Sequence, residues 1–325
     1  MHKAFETREP EEAALIAEMT AILRRKMARD YARGDTGRDA HPKTVGLVRG
    51  KFRIEPDLPD ALGVGVFAKP RSFDCWVRFS NSSGSIQSDA IPDARGVAIK
   101  LLLPRAKGEK PAASQDFVLL SSPVMPLGTV ALFRDAVFYS VELSPLLLAA
   151  KLALTGSAGV LLDLLALRIA PSSPLDIRYW STTPYLFGRD RAVKYSLSPT
   201  SRRRSRKPAA PGDSYLTDAM QAHLDRQPAT FDFSVQLRKD GMPIEDAAER
   251  WDERKSRFLK VATLEIPGQP FRTRKREALA ETLSFSPGHA LPEHAPLGGL
   301  NRARIKIYRA LSKFRHQRDT RADLA

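Results

Sequence analysis

Phe73-Asp-Cys-Trp-Val-Arg-Phe-Ser80 is the stretch that decides the fold class. Phe73, Cys75, Val77 and Phe79 alternate with Asp74, Trp76, Arg78 and Ser80. A period of two marks a β-strand with one apolar face. The other face is unusual, because it carries Arg78 beside Trp76. If that face is covered, the guanidinium needs an anion, since a buried charge without a partner is costly.

Extended patterns recur on both sides of this strand. Lys43-Thr-Val-Gly-Leu-Val-Arg-Gly-Lys-Phe-Arg-Ile54 alternates in part, and Val97-Ala-Ile-Lys-Leu-Leu-Leu103 and Gln115-Asp-Phe-Val-Leu-Leu120 follow. Further segments are Ala192-Val-Lys-Tyr-Ser-Leu197, Phe231-Asp-Phe-Ser-Val-Gln-Leu237 and Phe258-Leu-Lys-Val-Ala-Thr-Leu-Glu-Ile266. Pro and Gly punctuate them at short intervals, as in an antiparallel sheet or barrel. Helical patterns cover residues 10–31, 214–226 and 274–283. The first opens on Glu11 and Glu12 and repeats apolar residues from Leu15 to Met27. The predicted class is therefore α+β, an antiparallel β-barrel core with flanking helices. No internal repeat or Gly-rich linker divides the 325 residues, which predicts a single domain over 1–325. It has an N-terminal helical arm (1–32), an apolar helical insertion (143–170) and a C-terminal helix (300–325).

Composition narrows the function classes. Hydrophobic content of 42% and charged content of 27% suit a soluble globular chain. One cysteine, Cys75, excludes an internal disulfide framework and a cysteine metal cluster, and fits a reducing, cytoplasmic setting. The opening Met1-His-Lys-Ala-Phe-Glu-Thr-Arg lacks an early apolar core, which predicts no signal peptide. Residues 143–170 are the longest apolar region, but Pro145, Lys151, Gly156, Asp163 and Arg168 interrupt it. They predict two short helical pieces around Thr155-Gly-Ser157 rather than a transmembrane span. A buried helical pair or a dimer contact is the simpler expectation, and an apolar lid or membrane-facing patch is the functional one. The net charge is +15, with one dense run, Arg202-Arg-Arg-Ser-Arg-Lys207, beside Pro208, Pro211 and Gly212. No helix-turn-helix, zinc-finger or RNP-like pattern accompanies it. An exposed loop with weak contact to polyanions or a membrane surface is expected, not specific nucleic-acid recognition.

Asn301-Arg-Ala-Arg-Ile-Lys-Ile-Tyr-Arg-Ala-Leu-Ser-Lys-Phe-Arg-His316 reads as a helix without Pro or Gly. Arg304, Tyr308, Leu311 and Arg315 share one face. Cations beside a tyrosine favour its phenolate. That species is a hard ligand suited to ferric iron, although R-x-x-x-Y alone is a common pattern.

A matching set lies upstream. Arg38-Asp-Ala-His41 is followed by Val77-Arg78-Phe79-Ser80, Asp93-Ala-Arg95-Gly96-Val-Ala-Ile-Lys100, Gln115 to Val124, and Phe133-Arg134-Asp135. Taken in this order with Arg304-x-x-x-Tyr308, the chain from Arg38 to Arg315 resembles the haem catalase superfamily. Within it, the chain is similar to the small branch of catalase-related peroxidases. The resemblance implies haem b as cofactor. It makes His41 the distal acid–base, Ser80 its orienting partner and Tyr308 the axial iron ligand, kept a phenolate by Arg304. Arg38, Arg78 and Arg315 would pair with the haem propionates. None of the other histidines, His2, His223, His289, His294 and His316, has a comparable context.

The chain also departs from the family pattern. Leu119-Leu-Ser-Ser-Pro123 has no amide where catalases carry a distal asparagine, and only Ser121 offers a donor. Proline follows His41 where catalases have alanine, and Met125 to Leu132 separate Val124 from Phe133-Arg134-Asp135. Positioning a second peroxide should suffer more than the first cleavage. Weak catalase activity and a preference for peroxidase chemistry on hydrogen peroxide or organic hydroperoxides are therefore expected, with an unidentified reductant as co-substrate. The alternatives are a lipid hydroperoxide isomerase or lyase of the allene oxide synthase kind, and a non-catalytic haem-binding or sensing protein. A homo-oligomer is a further expectation.

Overall fold

The computed structural model describes residues 5–104, 114–201 and 204–318. Nine strands form one antiparallel sheet: β1 (Thr44–Ile54), β2 (Ser72–Asn81), β3 (Arg95–Leu102), β4 (Ser114–Leu120), β5 (Tyr179–Trp180), β6 (Tyr185–Leu186), β7 (Ala192–Pro199), β8 (Ala229–Leu237) and β9 (Phe258–Ile266). The order β5-β4-β3-β2-β1-β9-β8-β7 closes on itself, because Tyr179 and Trp180 of β5 pair with Leu197 and Ser196 of β7. The result is an eight-stranded barrel, with β6 added to the edge of β7. This is the predicted class. Closure leaves the long strands without free edges.

The barrel interior is filled with aromatic side chains. Phe117 meets Phe233 at 4.6 Å between ring centroids, Phe52 meets Phe233 at 5.0 Å, and Tyr195 meets Phe117 at 5.0 Å. Cys75, Val77 and Phe79 point into this core, as their alternation requires. The outer face of the barrel differs along its length. From Gly50 to Ile54, β1 alternates buried and exposed residues, whereas Val45 to Val48 are buried on both faces. The same holds for Val77 to Asn81 of β2 and Arg95 to Leu101 of β3. This doubly covered patch of barrel exterior is where Arg78 and Ser80 lie.

Seven helices flank the barrel among the described residues: α1 (Glu12–Asp30), α2 (Val130–Glu142), α3 (Pro145–Leu154), α4 (Ala158–Ala166), α5 (Tyr215–Leu224), α6 (Arg274–Thr282) and α7 (Gly299–Arg318). α1, α2 and α7 pack together through Ile16, Met19, Val130, Ala303, Ile307 and Leu311. Arg302 of α7 locks this layer by pairing with Glu6 at 2.6 Å, Glu12 at 2.6 Å and Glu245 at 2.9 Å. α2 is not predicted by the sequence patterns, although Thr129 caps it by accepting from the Leu132 amide.

α3 and α4 overturn one expectation. They are not a buried helical pair: α3 buries only Leu148 and Leu152, and α4 buries nothing. Of the basic run, Arg202 and Arg203 lie outside the described residues, and Arg204, Arg206 and Lys207 are exposed.

Candidate active site

His41 lies in the loop between α1 and β1, with φ of 55°. That is the left-handed region, sparsely used by side-chain-bearing residues, and Pro42 already bars the right-handed helix here. Such a conformation costs on the order of 1–3 kcal/mol. It is held by Arg78, which donates from Nη2 to the His41 carbonyl at 2.8 Å and to Thr44 Oγ1 at 2.7 Å. The ring is fixed as well, with Nδ1 3.0 Å from Ser80 Oγ. Gly96 makes the close approach possible: a Cβ there would sit 2.8 Å from two atoms of the His41 ring and 3.0 Å from Ser80 Oγ. Burial, reinforced by the positive charge of Arg78, lowers the His41 pKa from its ordinary 6.5 to about 4. The imidazole is therefore neutral at physiological pH and able to accept a proton.

Three guanidiniums gather below it. Burial pushes the Arg78 pKa down to about 10, and neighbouring Arg315 adds to the effect while Glu281 opposes it. Burial also holds Arg38 well below its ordinary value, followed by repulsion from Arg78 and Arg315. Arg38 donates to the carbonyls at the end of α6, to Ala280 at 2.6 Å and to Leu283. These carbonyls form the negative end of the helix. Its Nε remains buried with no hydrogen-bond partner. Arg315 is 3% exposed, with Ser284 Oγ 3.3 Å from its Nη2. Three neighbouring cations, one with an unmet donor, make a strong anion site.

The remaining residues lie on α7 and at the start of β4's exit loop. Tyr308 is half-buried and packs, as Phe133, Val137 and Phe314 do, against the α1–α2–α7 core. The Arg304 guanidinium carbon sits 5.7 Å from the Tyr308 ring centre. Burial works against Arg304, yet Tyr308 and Tyr185 together hold its pKa above the ordinary value. Arg304 also reaches Thr183 Oγ1 and Asn301 Oδ1, each at 3.3 Å, and its charge is felt by His41. Ser121 Oγ accepts from the Arg95 amide at 2.9 Å, and its own amide donates back to the Arg95 carbonyl at 2.8 Å. It therefore follows Leu120, the partner of Gly96 in the β3–β4 ladder, and its hydroxyl proton remains to be donated.

The fold thus brings His41, Ser80, Arg38, Arg78 and Arg315 into one cluster. It connects that cluster through Arg304 to Tyr308, and sets Ser121 one residue from the Gly96 platform. Sequence reasoning missed Gly96, Thr44, Glu281 and Tyr185 as parts of the site. Gly96 stood inside a quoted motif, but its contact with the His41 ring has no sequence signal. Two surface hollows, one beside Gly65, Lys69 and Arg71 and one beside Glu55, Pro56 and Asp60, contain none of these residues.

No family model matches the sequence. A catalase-related peroxidase of Mycolicibacterium paratuberculosis is 29% identical over 315 residues, covering 91% of this chain and 96% of that relative. A fungal catalase superposes with a TM-score of 0.72 at 17% identity, covering 89% of this chain. Catalase A from Saccharomyces cerevisiae gives 0.71 at 14% identity over 97% of this chain. The chain has a catalase-like fold.

A bacterial catalase gives a TM-score of 0.69 at 14% identity. The chain spans 60%, 67% and 62% of these three solved chains. Among its described residues no helix is long and apolar enough to cross a membrane.

Proposed function

We propose that this chain is a haem-dependent peroxidase acting on hydrogen peroxide or an organic hydroperoxide, with weak catalase activity. The observation that carries this reading is the neutral, immobilised His41 beside the Arg38–Arg78–Arg315 cluster and within the field of Arg304, which flanks Tyr308.

The residues fit haem b. Arg38, Arg78 and Arg315 supply the cationic cradle that two carboxylates need, and the unmet Arg38 Nε is a donor awaiting an acceptor. Tyr308, next to Arg304, would hold the iron of that group. When bound, haem would supply an iron able to take oxidising equivalents from a peroxide.

The protein's own contribution is proton handling. Ser80 engages Nδ1 of His41, so transfer falls to Nε2. Nε2 can take the proton of an incoming hydroperoxide and return it to the oxygen that leaves. Arg78 holds the His41 backbone and Gly96 admits its ring, so the imidazole needs no reorganisation. Ser121 offers one hydroxyl in place of an amide, which weakens the placement of a second peroxide. Peroxidase chemistry is therefore favoured over dismutation.

A second reading, rearrangement of a fatty-acid hydroperoxide, draws support from the apolar wall after Ser121. Met125 and Leu127 there pack with α3 and α4.

The test is to add haem to the full chain and compare three reactions. Binding of haem, with phenol oxidation faster than oxygen release, is expected. Consumption of a fatty-acid hydroperoxide without a reductant would support the rearrangement instead. Bound haem without turnover points to a sensor, and a chain that stays colourless sinks all three readings.

A further inference from the structure

Six of the ten large hydrophobic residues exposed among the described residues belong to one hairpin. Leu146 is 80% exposed, Leu154 88% and Leu162 70%, with Leu143, Leu147 and Leu165 beside them in the sequence. The helices are 10 and 9 residues long, joined at Thr155-Gly156-Ser157, where Gly156 turns the chain at φ of 72°. One face of α3 is anchored: Leu148 and Leu152 pack on Leu127 and Ala136. The hairpin is thus a fixed apolar projection, and a patch of this kind on a soluble fold marks a contact surface.

We propose that the α3–α4 hairpin docks this protein on the surface of an anionic lipid bilayer. Each helix is roughly 15 Å long or less, about half the hydrocarbon thickness, so the hairpin can lie in the interface and cannot span it. Charge selects the occupant. From Pro145 to Leu167 the only acidic residue is Asp163, and the chain as a whole carries +15. Arg25 of α1 pairs with Glu142 at 2.6 Å, so it sits at the root of the hairpin, and exposed Arg168 follows α4. The neighbouring helices of the same layer expose Arg24 and Arg29 on α1 and Lys306, Arg309 and Lys313 on α7. A second copy of this chain would bring a like charge of +15 against these cations, whereas an anionic headgroup layer attracts them. The apolar side chains then enter the boundary between headgroups and acyl chains. Met125, Leu127 and Phe133 pack beneath the same hairpin and hold it to the body of the protein. The docking does not depend on the haem assignment.

The test is sedimentation of the full chain with vesicles, at physiological salt. Vesicles of phosphatidylcholine mixed with phosphatidylglycerol are compared with phosphatidylcholine alone. The variant carries Leu146→Gln, Leu154→Gln and Leu162→Gln, which leaves the charge unchanged and touches only exposed positions. Circular dichroism and the thermal midpoint confirm that it folds. Wild type should pellet with the mixed vesicles, and the variant should bind at least roughly tenfold more weakly. Equal binding by both chains would mean that charge alone holds the protein and would overturn the proposal. So would absence of wild-type binding. A dimer in ultracentrifugation that the variant converts to monomer, with no vesicle binding, would assign the hairpin to self-association instead.

Discussion

The His41 wall and the Tyr308 wall of the candidate site are held in different ways. His41 is fixed by hydrogen bonds and close backbone approach from β1, β2 and β3: Arg78, itself held by Thr44, at its main chain, and Ser80 and Gly96 at its ring. Tyr308 stands on one helix, packed against the α1–α2–α7 core and flanked by Arg304. The first wall spends strain and desolvation on the group proposed to transfer a proton. The second presents an oxygen beside a cation. This division suits a proton carrier on one side and a ligand on the other, and it makes the two walls separable by substitution.

The largest expected effect separates them directly. Tyr308→Ala should lose haem, whereas His41→Ala should keep a full complement and react with peroxide roughly 10²–10⁴ times more slowly. Haem content per chain and stopped-flow absorbance measure the two. Equal haem retention by both variants would break the division. A smaller effect tests the ring platform. Gly96→Ala places a Cβ 2.8 Å from the His41 ring. It should retain haem and slow the peroxide reaction by up to about a hundredfold through misplacement of the imidazole. An unchanged rate would show that Gly96 does not fix His41.

The smallest effect concerns acid stability. His41 and His294 each have a pKa lowered from 6.5 to about 4, in both cases chiefly by burial. On acidification the unfolded chain therefore binds these protons first, and stability falls as pH drops from about 7.5 towards 4. The loss by pH 5 should be about 2 kcal/mol for each group. Urea unfolding of the haem-free chain should show the decline, and His41→Gln should remove about half of it. Tyr308→Phe should leave the slope intact. A slope unchanged by His41→Gln would mean that His41 is not desolvated.

Much of the frame was legible in advance. The alternation of Phe73 to Ser80 gave β2, with Arg78 on its outer face, and residues 301–316 lie within α7. The two-residue strands β5 and β6, which complete and extend the barrel, are too short for any periodicity. α2 was hidden because Val130-Ala-Leu-Phe-Arg-Asp-Ala-Val follows a Pro- and Gly-containing loop without a clean polar face. Nothing in the local sequence around His294 marks it as buried. It is fully buried, accepts from the Val66 amide at 3.1 Å and lies against Phe67. The insertion at 143–170 was legible as two apolar helices, but not as an exposed projection.

Residue type and local period determined the strands, the main helices and the stock of chemical groups, because both depend only on near neighbours in the chain. Tertiary structure decided which groups meet and what they become there. Arg38, Arg78 and Arg315 come from distant segments, and only their convergence makes an anion site. His41 is neutral at physiological pH because the barrel exterior and its covering elements remove water from it. Apolar side chains on α3 and α4 are exposed because no described residue is placed to cover them. Proximity and desolvation belong to the folded arrangement, and no local pattern encodes them.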